Sequence, residues 1–300
     1  MRVAVTGKQG QVAQALASAA PAHGIDLVRL GRPELDLAEP HSIREAILAA
    51  RPDVIISAAA YTAVDKAETE KELAFAVNAL GAGEVAKVAG ELSVPIIHLS
   101  TDYVFDGQKP APYAEEDTVG PLSVYGASKL EGERRVGQAT LNHAIFRTAW
   151  IYSPYGKNFL KSMLQLAETR DEVCVVADQL GCPTSALDIA QALLVAAGRL
   201  RESADPHLRG VFHMAATGEA SWAEFAEEIF RLAEGYGRRS VRVRPITTAE
   251  YPTSARRPAN SRLSTGKLEQ VYGLRLPDWR VSLASTMKVL LEGQREEVKS

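Results

Sequence analysis

Five short apolar runs punctuate the first half of the chain: RVAVTG (2–7), DLVRLG (26–31), DVIISAA (53–59), PIIHLS (95–100) and AIFRTAW (144–150). Apolar residues fill them almost continuously rather than at alternate positions, the pattern of strands covered by helices on both faces. Helical periodicity lies between them, near 11–20, 41–50, 70–92 and 125–138. Strands and helices in strict alternation predict an α/β fold, a Rossmann-type doubly wound parallel sheet.

After residue 150 the rhythm loosens. Helices are expected near 157–169, 185–200, 221–234 and 279–293, with short strands at 172–176, 210–215 and 241–246, between proline-containing loops. This divides the chain into a dinucleotide-binding domain over 1–150 and a smaller substrate lobe mainly over 151–300. That lobe is interleaved with the first domain, to which some later segments return. No repeat, heptad pattern or low-complexity linker interrupts it.

Composition narrows the class. A 46% hydrophobic fraction over 300 residues fills a substantial core. A net charge of −3 gives no electrostatic reason to expect nucleic acid or an acidic membrane as partner. Runs such as VIISAAA are too short to span a bilayer. MRVAVTG enters a strand at once, leaving no room for a signal peptide. The two cysteines, Cys174 and Cys182, fit a reduced compartment, so a cytoplasmic location is expected. The histidines lack HxxxH or HExxH spacing and the cysteines lack CxxC, so no metal is expected. RRSVRVRP (238–245) fits the solvated face of an edge strand.

Candidate chemistry begins with VTGKQGQVAQALA, where Gly7, Gly10 and Ala13 stand three residues apart between a strand and a helix. Such a turn lets a phosphate approach backbone N–H groups at the positive end of the helix. After the second strand, where NAD enzymes usually carry an acidic residue on the ribose, this chain has Gly31 and Arg32. Arg32 suits a 2′-phosphate and no carboxylate repels one there, which favours NADPH, with NADH possible. Asp36 is placed on the adenine side.

Ligands of open α/β sheets sit outside the carboxyl ends of the strands. The third strand ends in SAAAYTAVDKAE, with alanines that let a flat cofactor lie close to the backbone; the fourth ends in LSTDYVFDG and the fifth in RTAWIYSPYG. Ser100, Thr101 and Asp102 suit hydrogen bonding to a substrate oxygen. Tyr125 opens a helix, and Lys129 lies one turn on, about 6 Å along the axis and on the same face. A tyrosine titrates near 10, so the ammonium is expected to lower its pKa and to hold the nicotinamide ribose.

With GKQGQV, RPDVIISAAAYTAVDKAE, VNALGA, LSTDYVFDG, PLSVYGASKLEGE, FRTAWIY, DQLGCPTSALDIA and RRPANSRL in one order over residues 1 to about 275, the chain resembles the extended short-chain dehydrogenase/reductases. Within them it is similar to the dTDP-4-dehydrorhamnose reductase family. The resemblance implies NAD(P)H-dependent reduction of the 4-keto group of dTDP-4-dehydro-L-rhamnose to dTDP-L-rhamnose. Tyr125 would be the proton donor, Lys129 its partner on the nicotinamide ribose, and Thr101 the helper at the carbonyl. Gly7, Gly10, Gln11 and Val12 would meet the pyrophosphate. Leu37, Ala59, Ala60, Tyr61, Thr62 and Leu99 would line the remaining cofactor path. Asp102, Tyr103 and Trp150 would face the deoxysugar, and Arg257 a diphosphate. Some members dimerise through magnesium held by carboxylates, one of them on the first helix. QVAQALASAA has none there, so neither that metal nor that dimer is carried over, and a monomer or homodimer is expected.

Two alternatives remain at this stage. A sugar-nucleotide dehydratase or epimerase of the same superfamily needs a further acid after STD, where this chain has Tyr103. A non-catalytic subunit like the regulatory subunit of methionine adenosyltransferase would share the fold without needing Thr101, Tyr125 and Lys129.

Overall fold

The sheet starts with β1 (Arg2–Thr6), α1 (Gln11–Ala19), β2 (Asp26–Leu30), α2 (Pro40–Ala50) and β3 (Val54–Ser57) in a computed structural model that describes residues 1–297. Two short helical turns follow, α3 (Val64–Ala67) and α4 (Lys71–Phe75). The second continues through a π-helical turn (Ala76–Gly81) into α5 (Ala82–Glu91). β4 (Ile96–Thr101), α6 (Val124–Ala139) and β5 (His143–Thr148) complete the first half. Beyond Trp150 come β6 (Ile151–Tyr152), α7 (Phe159–Leu166), β7 (Glu172–Val176), β8 (Leu180–Gly181), β9 (Thr184–Ser185) and α8 (Ala186–Glu202). β10 (Gly210–His213), β11 (Ala220–Ser221), α9 (Trp222–Gly235), β12 (Arg242–Ile246), α10 (Gly266–Tyr272) and α11 (Trp279–Glu297) end the described chain.

The main sheet has six strands in the order β10–β5–β4–β3–β1–β2, with every neighbouring pair parallel. From β1 the chain moves outward to β2 and then crosses to β3 on the other side. The switch point therefore lies between β1 and β3, and a crevice opens at their carboxyl ends. Alternate side chains serve opposite faces. Val3, Val5, Val54, Ile56, Ile97, Leu99 and Phe146 pack towards α1, α8 and α10. Ala4, Ile55, Ile96 and Ile145 pack towards α2, α5 and α6. Both faces are covered, which is why the strands read as continuous apolar runs.

β10 and α8 lie past residue 150 yet belong to this sheet: β10 pairs with β5, and α8 packs along α1. A second apolar cluster gathers Tyr152, Leu160, Val173, Phe225, Ile229, Trp279, Leu283 and Met287 from β6, α7, β7, α9 and α11. β7 pairs in parallel with β12, whose Arg242 and Arg244 are exposed.

Three features differ from the sequence expectation. The helix expected at 70–92 contains the π turn. The two-residue strands β6, β8, β9 and β11 are too short to leave a period. α10 escapes notice because only Leu268 and Tyr272 of its seven residues are buried. Lys71–Glu91 is also long and apolar enough, by length and composition, to cross a membrane, which the short continuous runs do not reveal. It lies against α2 and α6, and Val85, Ala86, Val88 and Ala89 are fully buried in the core.

Candidate active site

Tyr125, Lys129 and Glu133 recur every four residues on α6 and form one stripe facing the sheet. Ser123 caps the helix by accepting from the Gly126 N–H (3.2 Å), and Glu68 accepts from the Val124 N–H (2.9 Å). Two glycines let the helix sit deep. A Cβ on Gly126 would stand 2.2 Å from the Tyr103 carbonyl oxygen, and one on Gly132 would stand 2.2 Å from that of Asn78. The glycines of GASKLEGE thus bring Tyr125 and Lys129 against β4 and the π turn.

Lys129 is buried, and its ammonium donates to the Leu99 carbonyl at 2.6 Å. His98 Nε2 lies 3.4 Å away, and His98 Nδ1 lies 3.1 Å from Ser57 Oγ. Burial, reinforced by the Lys129 charge and by His143, holds His98 well below its ordinary pKa. Neutral His98 accepts from Lys129 and donates to Ser57. Burial also pulls Lys129 down to about 8, against the upward pull of Glu133. Beneath them Arg147 donates to both Glu133 carboxylate oxygens (2.9 and 2.7 Å), and Ser100 donates to Oε1 (2.5 Å), all in the buried interior.

One expectation fails here. The ammonium was to lower the pKa of Tyr125, but burial pushes that phenol up to about 12, with Thr101 opposing and Asp102 adding to the rise. Lys129 points down to the strand backbone, so its charge is spent on Leu99 and His98. Tyr125 is therefore a protonated phenol throughout the neutral range, with the Thr101 hydroxyl near enough to oppose part of that rise. The Tyr103 ring meets it edge to face, with centroids 6.0 Å apart.

Thr101 Oγ1 accepts from the Tyr103 N–H (3.1 Å) and lies 3.0 Å from Asp102 Oδ1. Asp102 is buried, and Oδ2 lacks a partner at full hydrogen-bond geometry, although the Ser261 hydroxyl stands close by. Burial raises its pKa from 3.8 to about 7, partly opposed by Ser261, Thr101 and nearby N–H groups. The folded protein thus keeps a proton that the unfolded chain releases. The associated stability is complete below about pH 4 and is lost as pH rises through about 7. Asp102→Asn, which cannot ionise, should gain on the order of 3 kcal/mol relative to the parent between about pH 4 and about pH 8. Urea denaturation at both pH values measures this; parallel pH dependence of the two proteins would refute it.

At the switch point Gly7 takes φ +102°, and a Cβ there would stand 3.5 Å from the Ala59 methyl. Thr6 Oγ1 accepts from the Ala58 and Ala59 N–H groups, both at 3.0 Å, tying β3 to β1. α1 begins at Gly10 with no side-chain cap and no acidic residue in its first turn, and a Cβ on Gly10 would meet nothing within 4 Å. Val12 faces the core, while Gln11 Oε1 accepts from Ser153 at 2.9 Å. Asn78, in the π turn, brackets the Tyr61 backbone (2.7 and 3.0 Å) and donates to Ser128, which donates to the Tyr125 carbonyl. Ala60 and Thr62 flank that bracketed residue. Tyr61 itself donates through its hydroxyl to Glu70 (2.7 Å).

On the adenosine side, Gly31 is pressed against Lys8, and Arg32 is exposed. Lys8 and Arg29, unnoticed in the sequence, stand there too, Arg29 donating to the Lys8 carbonyl (3.1 Å). The sequence offers no carboxylate at this point, yet Glu34 folds back to ion-pair with Lys8. Asp36 spends Oδ1 on the Ala38 N–H (3.0 Å), and Leu37 is buried. Arg257 grips Asp65 through two hydrogen bonds (3.2 and 2.7 Å) and also donates to Thr253 (2.6 Å), with the Tyr103 hydroxyl close by. Its cation thus stands between the end of the third-strand loop and Tyr103.

Trp150 stands two residues beyond Thr148, the register partner of Thr101. Its φ of +46° is costly for a bulky side chain, on the order of 1–3 kcal/mol. Its ring stacks on Trp222 with centroids 3.5 Å apart.

Residues 1–292 match the family described as RmlD substrate binding domain. A dTDP-4-dehydrorhamnose reductase of Sinorhizobium fredii is 55% identical over 296 residues, covering 98% of this chain and 99% of the relative. The chain belongs to the dTDP-4-dehydrorhamnose reductase family. Among solved members, that of Clostridium acetobutylicum has TM-score 0.89 at 37% identity, covering 97% of this chain and 99% of its own. That of Bacillus anthracis, in complex with NADP, has TM-score 0.88 at 35% identity, covering 95% and 98%. The family's sheet and crevice account for the architecture here. Asn78, His98, Glu133 and Arg147 were not singled out from the sequence. Glu133 carried a signal, four residues past Lys129 on one helix face; the others meet the site only through tertiary contacts.

Proposed function

We propose that this protein reduces the 4-keto group of dTDP-4-dehydro-L-rhamnose to dTDP-L-rhamnose, with NADPH as preferred reductant and NADH as a possible substitute. The observation that carries the reading is the Thr101–Tyr125 hydroxyl pair above buried Lys129, in a chain 55% identical to a reductase of that name. Residues 1–150 hold the cofactor, and residues 151–300 mainly supply the substrate lobe.

The residues present fit a dinucleotide. The uncapped start of α1 offers free N–H groups to the pyrophosphate at Gly10, Gln11 and Val12, and Gly7 leaves the turn open. Arg29 and Arg32 supply cations for a 2′-phosphate, beside Lys8 paired with Glu34, and the NADP complex of the Bacillus anthracis relative supports that preference. When bound, the reduced nicotinamide supplies a hydride to the ketone carbon.

Thr101 and Tyr125 both bond the ketone oxygen, and the neutral Tyr125 phenol delivers its proton as negative charge develops there. The Lys129 ammonium, fixed by the Leu99 carbonyl and His98, would hold the nicotinamide ribose on the same helix face. Asp102, Tyr103 and Trp150 orient the sugar, and the Arg257 cation faces its diphosphate. Tyr103 stands where a dehydratase needs an acid, and burial raises its pKa further, so it cannot do that work.

The deciding experiment follows NADPH absorbance with purified protein and the dTDP-4-keto-6-deoxyhexose. Stoichiometric oxidation with formation of dTDP-L-rhamnose is expected. Tightly retained NAD with no net oxidation would move the assignment to an epimerase or dehydratase.

A further inference from the structure

We infer that Trp222 and Gly181 together position the Trp150 indole as a rigid wall of the sugar site, making Trp222 a specificity-determining residue that need not touch the sugar. This rests on the placement of Trp150 at the sugar proposed above. Three independent features hold that indole in one pose. Its backbone lies in the left-handed region, at φ +46°, where a bulky residue persists only when its surroundings over-determine it. Its ring lies flat on that of Trp222, with an interplanar angle of 5°. A Cβ on Gly181 would fall 2.3 Å from Trp150 Cε2 and 2.6 Å from Nε1, so only a hydrogen atom fits against that edge.

The two holders come from separate parts of the chain. Gly181 lies in β8, which pairs with β11, and Trp222 follows β11 as the first residue of α9. Phe159 packs against Trp222 at 4.7 Å between centroids, and Phe225 stacks on Phe159 at 5.4 Å, so Trp222 is backed by the second apolar cluster. On its other side Trp150 follows β5 by two residues, and its carbonyl accepts from the Thr184 N–H at 3.2 Å. The wall is therefore set jointly by the sheet that carries Thr101 and by the cluster around α9. An indole face suits the apolar C–H surface of a deoxysugar, and its benefit depends on a fixed pose.

Trp222→Ala, Trp222→Phe and Gly181→Ala test this. In Trp222→Ala the exciton couplet of the stacked indoles should vanish from the far-ultraviolet circular dichroism. NADPH affinity should stay within about twofold, while KM for the sugar nucleotide rises about tenfold or more. Trp222→Phe should recover most of that loss. Gly181→Ala leaves Trp222 in place but drives the Trp150 ring out of its seat, and should raise the same KM; with Trp222→Phe it decides the matter if Trp222→Ala does not fold. An unchanged sugar KM with the couplet gone, or parallel losses of NADPH and sugar affinity, would overturn the inference. If the parent protein binds dTDP-L-rhamnose without turnover, the activity assignment fails, and the Kd for that sugar nucleotide in the same variants decides this one. If it binds no dTDP-sugar at all, both fall.

Discussion

Tyr125→Phe should lower kcat by on the order of 10²–10⁴-fold while leaving NADPH affinity nearly unchanged. Of the two hydroxyls proposed to meet the ketone oxygen, the Tyr125 phenol is the more acidic and so the one placed to give up its proton. The ring itself packs edge-on against Tyr103, so phenylalanine preserves shape and contacts. What disappears is the O–H aimed at the developing alkoxide. Thr101 still donates one hydrogen bond to that oxygen, which leaves a residual rate rather than none. Steady-state NADPH oxidation together with a fluorescence titration of NADPH separates the two effects. Turnover at the parental rate would remove Tyr125 from its role.

Glu133→Ala is expected to cost about 3–5 kcal/mol of folding stability, because it strands the Arg147 guanidinium in the interior. Arg147 already has one orphaned nitrogen, Nη1, and its remaining support is the Phe105 ring, 5.1 Å from its guanidinium carbon. Removing both charges together, as Glu133→Leu with Arg147→Met, should regain much of the loss, since no unpaired ion remains. Denaturant titration of the three proteins measures this. A single-variant cost below about 1 kcal/mol would mean that water reaches the pair. Loss of the Glu133 charge also removes the group that raises the Lys129 pKa, so the alkaline fall in activity should begin at lower pH.

The sheet was legible because its strands are buried on both faces, and Val3, Ala4 and Val5 all had to be apolar. Tyr125, Lys129 and the glycine turn were legible because their spacing follows directly from helix and turn geometry. The environment that sets their chemistry was not. His98 reads as one polar residue in an apolar run, and only the pairing of β3 with β4 brings it beside Ser57. The pKa of Tyr125 was not legible, because one helix face does not tell which way an ammonium points. Arg257 meets Asp65 across 192 residues of sequence, a contact that no local pattern announces.

The return of α8 and β10 to the main sheet bears on how specificity can be altered within this fold. A chain cut after Trp150 would leave β5 as a bare apolar edge and α1 without its covering helix. The carboxyl-terminal half cannot then be exchanged as a cassette between homologues, because a sheet strand and a core helix travel with it. A new sugar preference has to be introduced side chain by side chain, in the β8 and α9 segments that reach Trp150. Recombination should succeed only where the crossover keeps α1 with its own α8, and β5 with its own β10.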